Sequence, residues 1–267
     1  MKRFYFLLIV FFSLQVSGEL QVQVETSSRE IIPGETAVLN FSLRNMGDEG
    51  CLNARMELHF SEGLESTYVN LGDLGAGAVI NGFFEVEKKQ SSLAGVYATP
   101  LYLQCYDVNG KLISMVFHST LNFNSNELPK SRAVFEDISV TPDSHSSFSV
   151  KIQNMGEADQ VVFLNDYFPS TFVVEELPDN VSVPSKSVKT VEGRVKTFGA
   201  LPGSSFSAYI STAYVDDDMR FETLSAGRVI VESPSERKKD FSFNPAYIAV
   251  GFILTVLFMY WKRKNNQ

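Results

Sequence analysis

Cys51 and Cys105 are the only two thiols in a chain of 267 residues, so the first chemical question is whether they bond to each other. Cys51 opens a segment that reads as a strand after the turn Asn45 to Gly50, and Cys105 closes another. If those strands are antiparallel neighbours, the two sulfurs stand opposite each other, and a disulfide in an oxidising compartment is the preferred reading. Two buried free thiols are the alternative. Thiol catalysis ranks last, because there is no Cys-x-x-Cys pair and no histidine at a suggestive spacing.

The three histidines, His59, His118 and His145, are scattered along the chain with no His-x-His or His-Glu-x-x-His pair to hold a transition metal. Asp216, Asp217 and Asp218 crowd one predicted hairpin tip, and three carboxylates on a loop offer hard oxygen ligands to calcium. Consecutive side chains diverge, however, and no Asp-x-Asp-x-Asp/Asn-Gly loop surrounds them, so a solvated turn is the preferred reading. The acidic tip with Glu175, Glu176 and Asp179 reads the same way. No Gly-x-Ser-x-Gly elbow, phosphate loop or clustered Ser, His and Asp is present, so the sequence points away from an enzyme and implies no cofactor.

Asn40-Phe-Ser42 and Asn180-Val-Ser182 are the two acceptors for N-glycosylation. Asn180, between acidic and proline-containing segments, is the better surface candidate, whereas Asn40 falls within a predicted strand. Of the 22 phenylalanines, Phe41, Phe148 and Phe206 suit a sandwich interior. Phe168 beside Pro169, and Phe198 near Leu201-Pro202, are candidates for an exposed contact patch.

The elements that must carry these residues are strands. Short runs alternate with period two, as in Leu20, Val22 and Val24 or Phe206, Ala208 and Ile210, and turn signals recur at roughly ten-residue spacing. The predicted strands of the first half are 20–25, 37–44, 54–60, 79–86, 95–107 and 112–123. Those of the second half are 134–140, 147–153, 160–165, 171–177, 187–195, 205–214 and 222–232. Asn45-Met46-Gly47 after one predicted strand is echoed by Asn154-Met155-Gly156 after another, and each is followed by an acidic residue. Asn and Gly suit a turn that needs positive φ. The expectation is two antiparallel sandwiches, residues 19–125 and 132–233, with the linker 126–131.

Phe41 to Gly47, Tyr97 to Leu103 with Asp107 to Gly110, and Phe148 to Gly156 carry a loose resemblance. The pattern resembles the tandem immunoglobulin-like repeats, of CARDB and NEW3 type, of archaeal and bacterial cell-surface or S-layer-associated proteins. That resemblance implies spacers, adhesion modules or accessory domains without catalytic residues. The layout is also similar to the alpha subunit of the eukaryotic translocon-associated complex, without its long acidic segment and larger tail.

The ends of the chain read as targeting segments. Lys2 and Arg3, the apolar run from Phe4 to Phe12 and the polar stretch to Gly18 match a secretory signal peptide over residues 1–18, an uncleaved anchor being the alternative. Residues 234–240 read as a stalk and 241–261 as a transmembrane helix, 21 residues without a charge. Lys262, Arg263 and Lys264 then place the tail 262–267 on the cytoplasmic side.

Residues 1–18 and 241–267 hold five of the 23 basic residues and none of the 31 acidic ones, leaving 18 against 31 between them, a net of −13. Such a surface excludes nucleic-acid binding. The fold class expected is therefore all-β, two tandem immunoglobulin-like sandwiches plus one C-terminal transmembrane helix. The expected role is a membrane-anchored, single-pass protein for protein contact or envelope scaffolding, integral in the membrane, with a membrane or envelope protein as partner and a small-molecule ligand disfavoured. The rivals are an accessory subunit of a transporter or translocon complex and a carbohydrate- or calcium-dependent binding module.

Overall fold

The computed structural model describes residues 20–28, 36–60, 67–86, 93–142 and 144–233. Period-two alternation becomes strand wherever it persists: along β2 (Ala37–Asn45), Ala37, Leu39, Phe41 and Leu43 are buried, while Val38, Asn40 and Arg44 face outward. The first half continues with β1 (Val22–Ser28) before it, and β3 (Cys51–Leu58), β4 (Thr67–Leu74), β5 (Val79–Val86), β6 (Ala94–Ala98), β7 (Leu101–Tyr106), β8 (Leu112–Phe117) and β9 (Thr120–Phe123) after it. The second half holds β10 (Ser131–Phe135), β11 (Ile138–Val140), β12 (His145–Asn154), β13 (Gln160–Tyr167), β14 (Phe172–Glu175) and β15 (Asn180–Val183). It closes with β16 (Val188–Thr197), β17 (Ser205–Asp216) and β18 (Met219–Val231).

Sheets β1-β2-β5 and β4-β3-β7-β8 enclose the first core, built on Leu39, Phe41, Met56, Leu58, Phe84 and Leu103. Sheet β10-β12-β16-β14 and the strands β15-β13-β17-β18 enclose the second, built on Phe135, Phe148, Ile152, Leu164, Ile210 and Val229. Each such buried side chain stabilises the fold by roughly 1.5–3 kcal/mol relative to exposure. Both are immunoglobulin-like β-sandwiches. In the second, the opening strand changes sheets: β10 pairs antiparallel with β12, and β11 crosses to pair in parallel with β18.

The repeated Asn-Met-Gly acquires a physical meaning. Asn45 Nδ2 donates to the carbonyls of Glu49, Leu74 and Gly75, and its Oδ1 accepts from Gly47 N. Asn154 does the same with Ala158, Val183, Pro184 and Gly156. The partners lie 4, 29, 30 and 2 positions along the chain in both copies. A buried asparagine thus ties the corner after β2 or β12 to the end of β4 or β15 and the connection that follows it, satisfying carbonyls there. A second echo is packing: Phe41 covers Gly82 across the β2–β5 pair, and Phe148 covers Gly193 across β12–β16. A Cβ at either glycine would come within 2.5 or 2.6 Å of the ring.

One expectation of the architecture is corrected. Every regular element among the described residues is a strand, and no helix there is long and apolar enough to cross a membrane. Apolar length alone suggested the span, but crossing also needs a helix that closes its own backbone hydrogen bonds, and none is present among the described residues. The stretch 241–261 lies outside those residues, as do the signal-peptide reading of 1–18, the stalk 234–240 and the tail 262–267. The transmembrane helix, the single-pass placement with ends on opposite sides, and the integral-membrane partner are therefore set aside.

Several strand boundaries also differ. The predicted strand 95–107 breaks at Thr99-Pro100, because proline cannot donate to a ladder, and 112–123 breaks opposite it, Thr99 N donating to Ser119 O. Strands β4 and β15 were not predicted.

Candidate functional site

The two sandwiches share a sheet. The first three residues of β18, at the end opposite the β11-paired residues 229–231, take up β6 in parallel, with Met219, Arg220 and Phe221 opposite Ala94, Gly95 and Val96. β6 in turn carries β9, so the full order is β15-β13-β17-β18-β6-β9. Gly95 makes this approach possible: its φ is +140°, and a Cβ there would lie 1.8 Å from the Arg220 carbonyl oxygen.

Charge and hydrogen bonding reinforce the join. Glu222, 1% exposed, accepts from Ser211 Oγ at 2.8 Å and from Ala98 N at 3.3 Å, the latter across the two halves. Arg220 Nε stands 3.9 Å from the same carboxylate, and its guanidinium lies 5.7 Å from the centre of the Tyr97 ring. Alongside, Tyr102 and Val116 of the first sandwich pack with Tyr167, Tyr209 and Leu224 of the second. Burial pushes the phenols of Tyr97, Tyr102, Tyr167 and Tyr209 upward. Desolvation also raises the carboxyl of Asp166, whose charge further raises Tyr102. The chain between the halves is pinned as well: Lys130 N donates to Tyr214 Oη, and Lys130 Nζ reaches Asp216 at 2.7 Å.

Beside this junction opens a cleft of about 460 Å³. Its apolar wall comes from Leu112, Ile113 and Met115 of β8 on one side and from Ala200, Leu201 and Phe206 on the other. Asp107, Lys111 and Ser204 supply polar groups at the same opening. Leu201 is 61% exposed and Leu112 40%, so the wall is uncovered. Thr171 also lines the cleft, and its buried Oγ1 has no hydrogen-bond partner. With Glu49, Ser114 and Ser205 also at its lining, the trough offers both apolar wall and polar rim, which suits an extended or amphipathic segment. Nothing in it is a nucleophile paired with a base.

The residues singled out from the sequence are dispersed. Cys51 and Cys105 form a disulfide between neighbouring strands β3 and β7, with Cα atoms 5.4 Å apart, and both are buried in the first core. His59 lies 3.3 Å from Glu57 and packs at a tilt against Tyr102; His118 packs at a tilt against Tyr209; His145 lies 3.2 Å from Glu175. Among the described residues no three His, Cys, Asp or Glu side chains are gathered to hold a metal.

The three aspartates have another job. Asp216 pairs with Met219 across the β17–β18 hairpin, and the two loop residues Asp217 and Asp218 have φ of 48° and 58°, the pair of positive values that a type I′ turn demands. This geometry agrees with the solvated-turn reading preferred from the sequence. Phe168 is corrected too: it is buried in a ring cluster with Phe135, Phe148 and Phe172, not exposed. Phe198 is exposed, under the ammonium of Lys196 at 5.0 Å. The cleft itself went unnoticed in the sequence, because Leu112 and Leu201 are far apart in the chain and each reads as ordinary strand-end or turn chemistry.

No protein-family pattern matches the chain, and no curated protein matches it. Solved structures do. A protein of unknown function from Porphyromonas gingivalis W83 aligns over 78% of this chain and 99% of its own, at 12% identity and a TM-score of 0.36. The ASH/PapD-like domain 7 of human CEP192 aligns over 44% of this chain and 96% of its own, at 13% identity and a TM-score of 0.33. The E. coli chaperone DraB aligns over 39% of this chain and 55% of its own, at 15% identity and a TM-score of 0.29. This chain thus spans about half the length of the DraB chain. At these TM-scores the likenesses add nothing to the architecture already described.

Proposed function

We propose that this chain is a non-catalytic protein-binding module in which two immunoglobulin-like sandwiches, residues 19–125 and 132–233, hold a peptide segment in the cleft between them. The observation that carries the reading is the uncovered apolar trough of Leu112, Ile113, Met115, Leu201 and Phe206, with the unpartnered Thr171 hydroxyl beside it. Burying such a trough under a partner's apolar side chains contributes roughly 25 cal/mol per Å² removed from water. The buried disulfide supports work in an oxidising compartment, such as a cell envelope. The strand, Asn-Met-Gly turn and strand of each half support kinship with the CARDB and NEW3-type repeats, whose members serve as spacers and scaffolds.

The test places a benzophenone amino acid at position 201 and, as a control, at Val173, which is exposed on β14. Irradiation in cells is expected to give one discrete protein adduct from position 201 that Leu112→Asp abolishes. Adducts from both positions alike, or from neither, would remove the cleft from the account.

A further inference from the structure

Three phenylalanines are substantially exposed among the described residues: Phe83 at 55%, Phe163 at 46% and Phe198 at 53%. Phe198 has Lys196 above it. The other two face the two N-glycosylation acceptors. Phe83 on β5 is the direct cross-strand partner of Asn40 on β2, and Phe163 on β13 is the direct partner of Asn180 on β15. Both asparagines are exposed, so each shares an outer face with its ring. Directly opposed residues in an antiparallel pair have Cβ atoms about 4.5–5.5 Å apart. A sugar joined to the asparagine therefore begins within reach of the ring.

Duplication does not explain the coincidence. The β2–β5 pair corresponds to β12–β16 in the second sandwich, not to β13–β15, as the two asparagine corners and the Phe41/Gly82 and Phe148/Gly193 pairs establish. The same juxtaposition has arisen on two unrelated strand pairs.

We infer that Asn40 and Asn180 are both N-glycosylated and that Phe83 and Phe163 are the platforms on which the first sugar of each glycan lies. The pyranose C–H groups pack on the ring face, as other partially positive groups do, and the exposed apolar surface is covered. In the modification, the side-chain nitrogen forms a bond to C1 of a lipid-phosphate- or lipid-pyrophosphate-linked oligosaccharide. The C1–O bond to the carrier breaks, and the amide proton leaves with the carrier phosphate; nothing is oxidised or reduced. β15, which carries Asn180, is an edge strand of its sheet, so that glycan also shields an edge from pairing with another chain. This inference is independent of the cleft, whose lining includes none of the four residues.

The test begins with intact-mass and glycopeptide analysis of the full chain from its native cells, where glycan mass is expected on both Asn40 and Asn180. Asn180→Gln, Phe163→Ala and their combination, with the matching set at Asn40 and Phe83, then form double-mutant cycles read by melting temperature. Ser182→Ala and Ser42→Ala remove the acceptor signal while leaving Asn and Phe in place. In glycosylated protein each cycle should show a coupling of about 2–4 °C, the shift expected for roughly 1 kcal/mol in a chain of this size. The coupling should vanish in the serine variants and in protein made by a host without oligosaccharyltransferase. Unmodified asparagines in the native protein, or equal coupling with and without the glycan, would overturn the inference.

Discussion

Replacing Asn154 with alanine isolates what the repeated corner contributes. Asn154 is 1% exposed, and its Nδ2 lies 2.8, 3.1 and 3.2 Å from the carbonyls of Ala158, Val183 and Pro184, while Oδ1 accepts from Gly156 N at 2.8 Å. Two amide protons cannot make three full bonds, so the three donated contacts count as two, and with the accepted bond the side chain makes three. At about 1 kcal/mol net per bond, alanine costs about 3 kcal/mol, and more if a buried carbonyl finds no water. In a chain of this size that lowers the melting temperature by roughly 6–12 °C. Urea unfolding followed by far-ultraviolet circular dichroism measures it, with Met155→Ala as a neighbour control, since Met155 is 46% exposed. Asn45→Ala should cost the same to within about 0.5 kcal/mol, because it has the same set of partners and lies far enough away for independence. A cost below about 1 kcal/mol, or one no larger than that of Met155→Ala, would refute the idea that these side chains hold the corners.

Reducing Cys51–Cys105, or replacing both with serine, frees a separation of 54 residues and should destabilise the first sandwich by about 4 kcal/mol, read as a reductant-dependent melting temperature. Gly95→Ala should break the pairing of β6 with β18, seen as faster amide exchange at 94–96 and 219–221 while the two cores stay protected. Tyr97, Tyr102, Tyr167, Tyr209 and Tyr214 all have raised values, so the unfolded chain loses phenolic protons first. Stability must therefore fall as pH climbs past the usual 10.0, and absorbance at 295 nm should show a tyrosine fraction that ionises only as the chain unfolds. Asp166 is an acid raised by desolvation, so its native form holds the proton longer than the unfolded form and stability falls as pH rises through the interval above 3.8. Asp166→Asn should accordingly raise the melting temperature at pH 7 and leave it unchanged at pH 3.

What could be read from the residues was whatever repeats at short range. Alternation placed β2, β5, β12, β16 and β17 to within a few residues, because each has one face on a core and one in solvent. The Asn-Met-Gly echo marked the corner but not its cause, since the carbonyls that Asn45 satisfies are 29 and 30 positions away. β4 was missed because only Leu74 in it is fully buried, so its pattern carries little contrast. β15 was missed because it is four residues long and sits between acidic and proline-containing stretches that read as loop. Asp216 to Asp218 read as a solvated turn, but sequence shows charge and hides φ; with Asp217 and Asp218 at positive φ they are the bend itself.

The docking of the halves is the part that no local pattern could show, and it decides what the cleft can do. A linker at 126–131 that is short but polar leaves open whether the halves are docked. β17 and β18 run to 12 and 13 residues, about twice the usual strand length, and the excess of β18 serves the neighbouring sandwich. Lys130 is fastened to Tyr214 and Asp216 at the same place, so the linker adds to the join instead of loosening it. The two walls of the trough, β8 on one side and the Ala200 to Phe206 turn on the other, are therefore held by strand pairing, by Glu222 and by the tyrosine cluster. Ser170 N donating to Ser114 Oγ at 3.1 Å crosses between the halves beside the cleft. A site whose walls are already fixed forfeits less entropy on binding than one assembled by its ligand. That argument makes Gly95→Ala a functional test as well as a structural one: loosening the sheet 94–96 against 219–221 should weaken adduct formation at position 201 without touching any residue of the cleft.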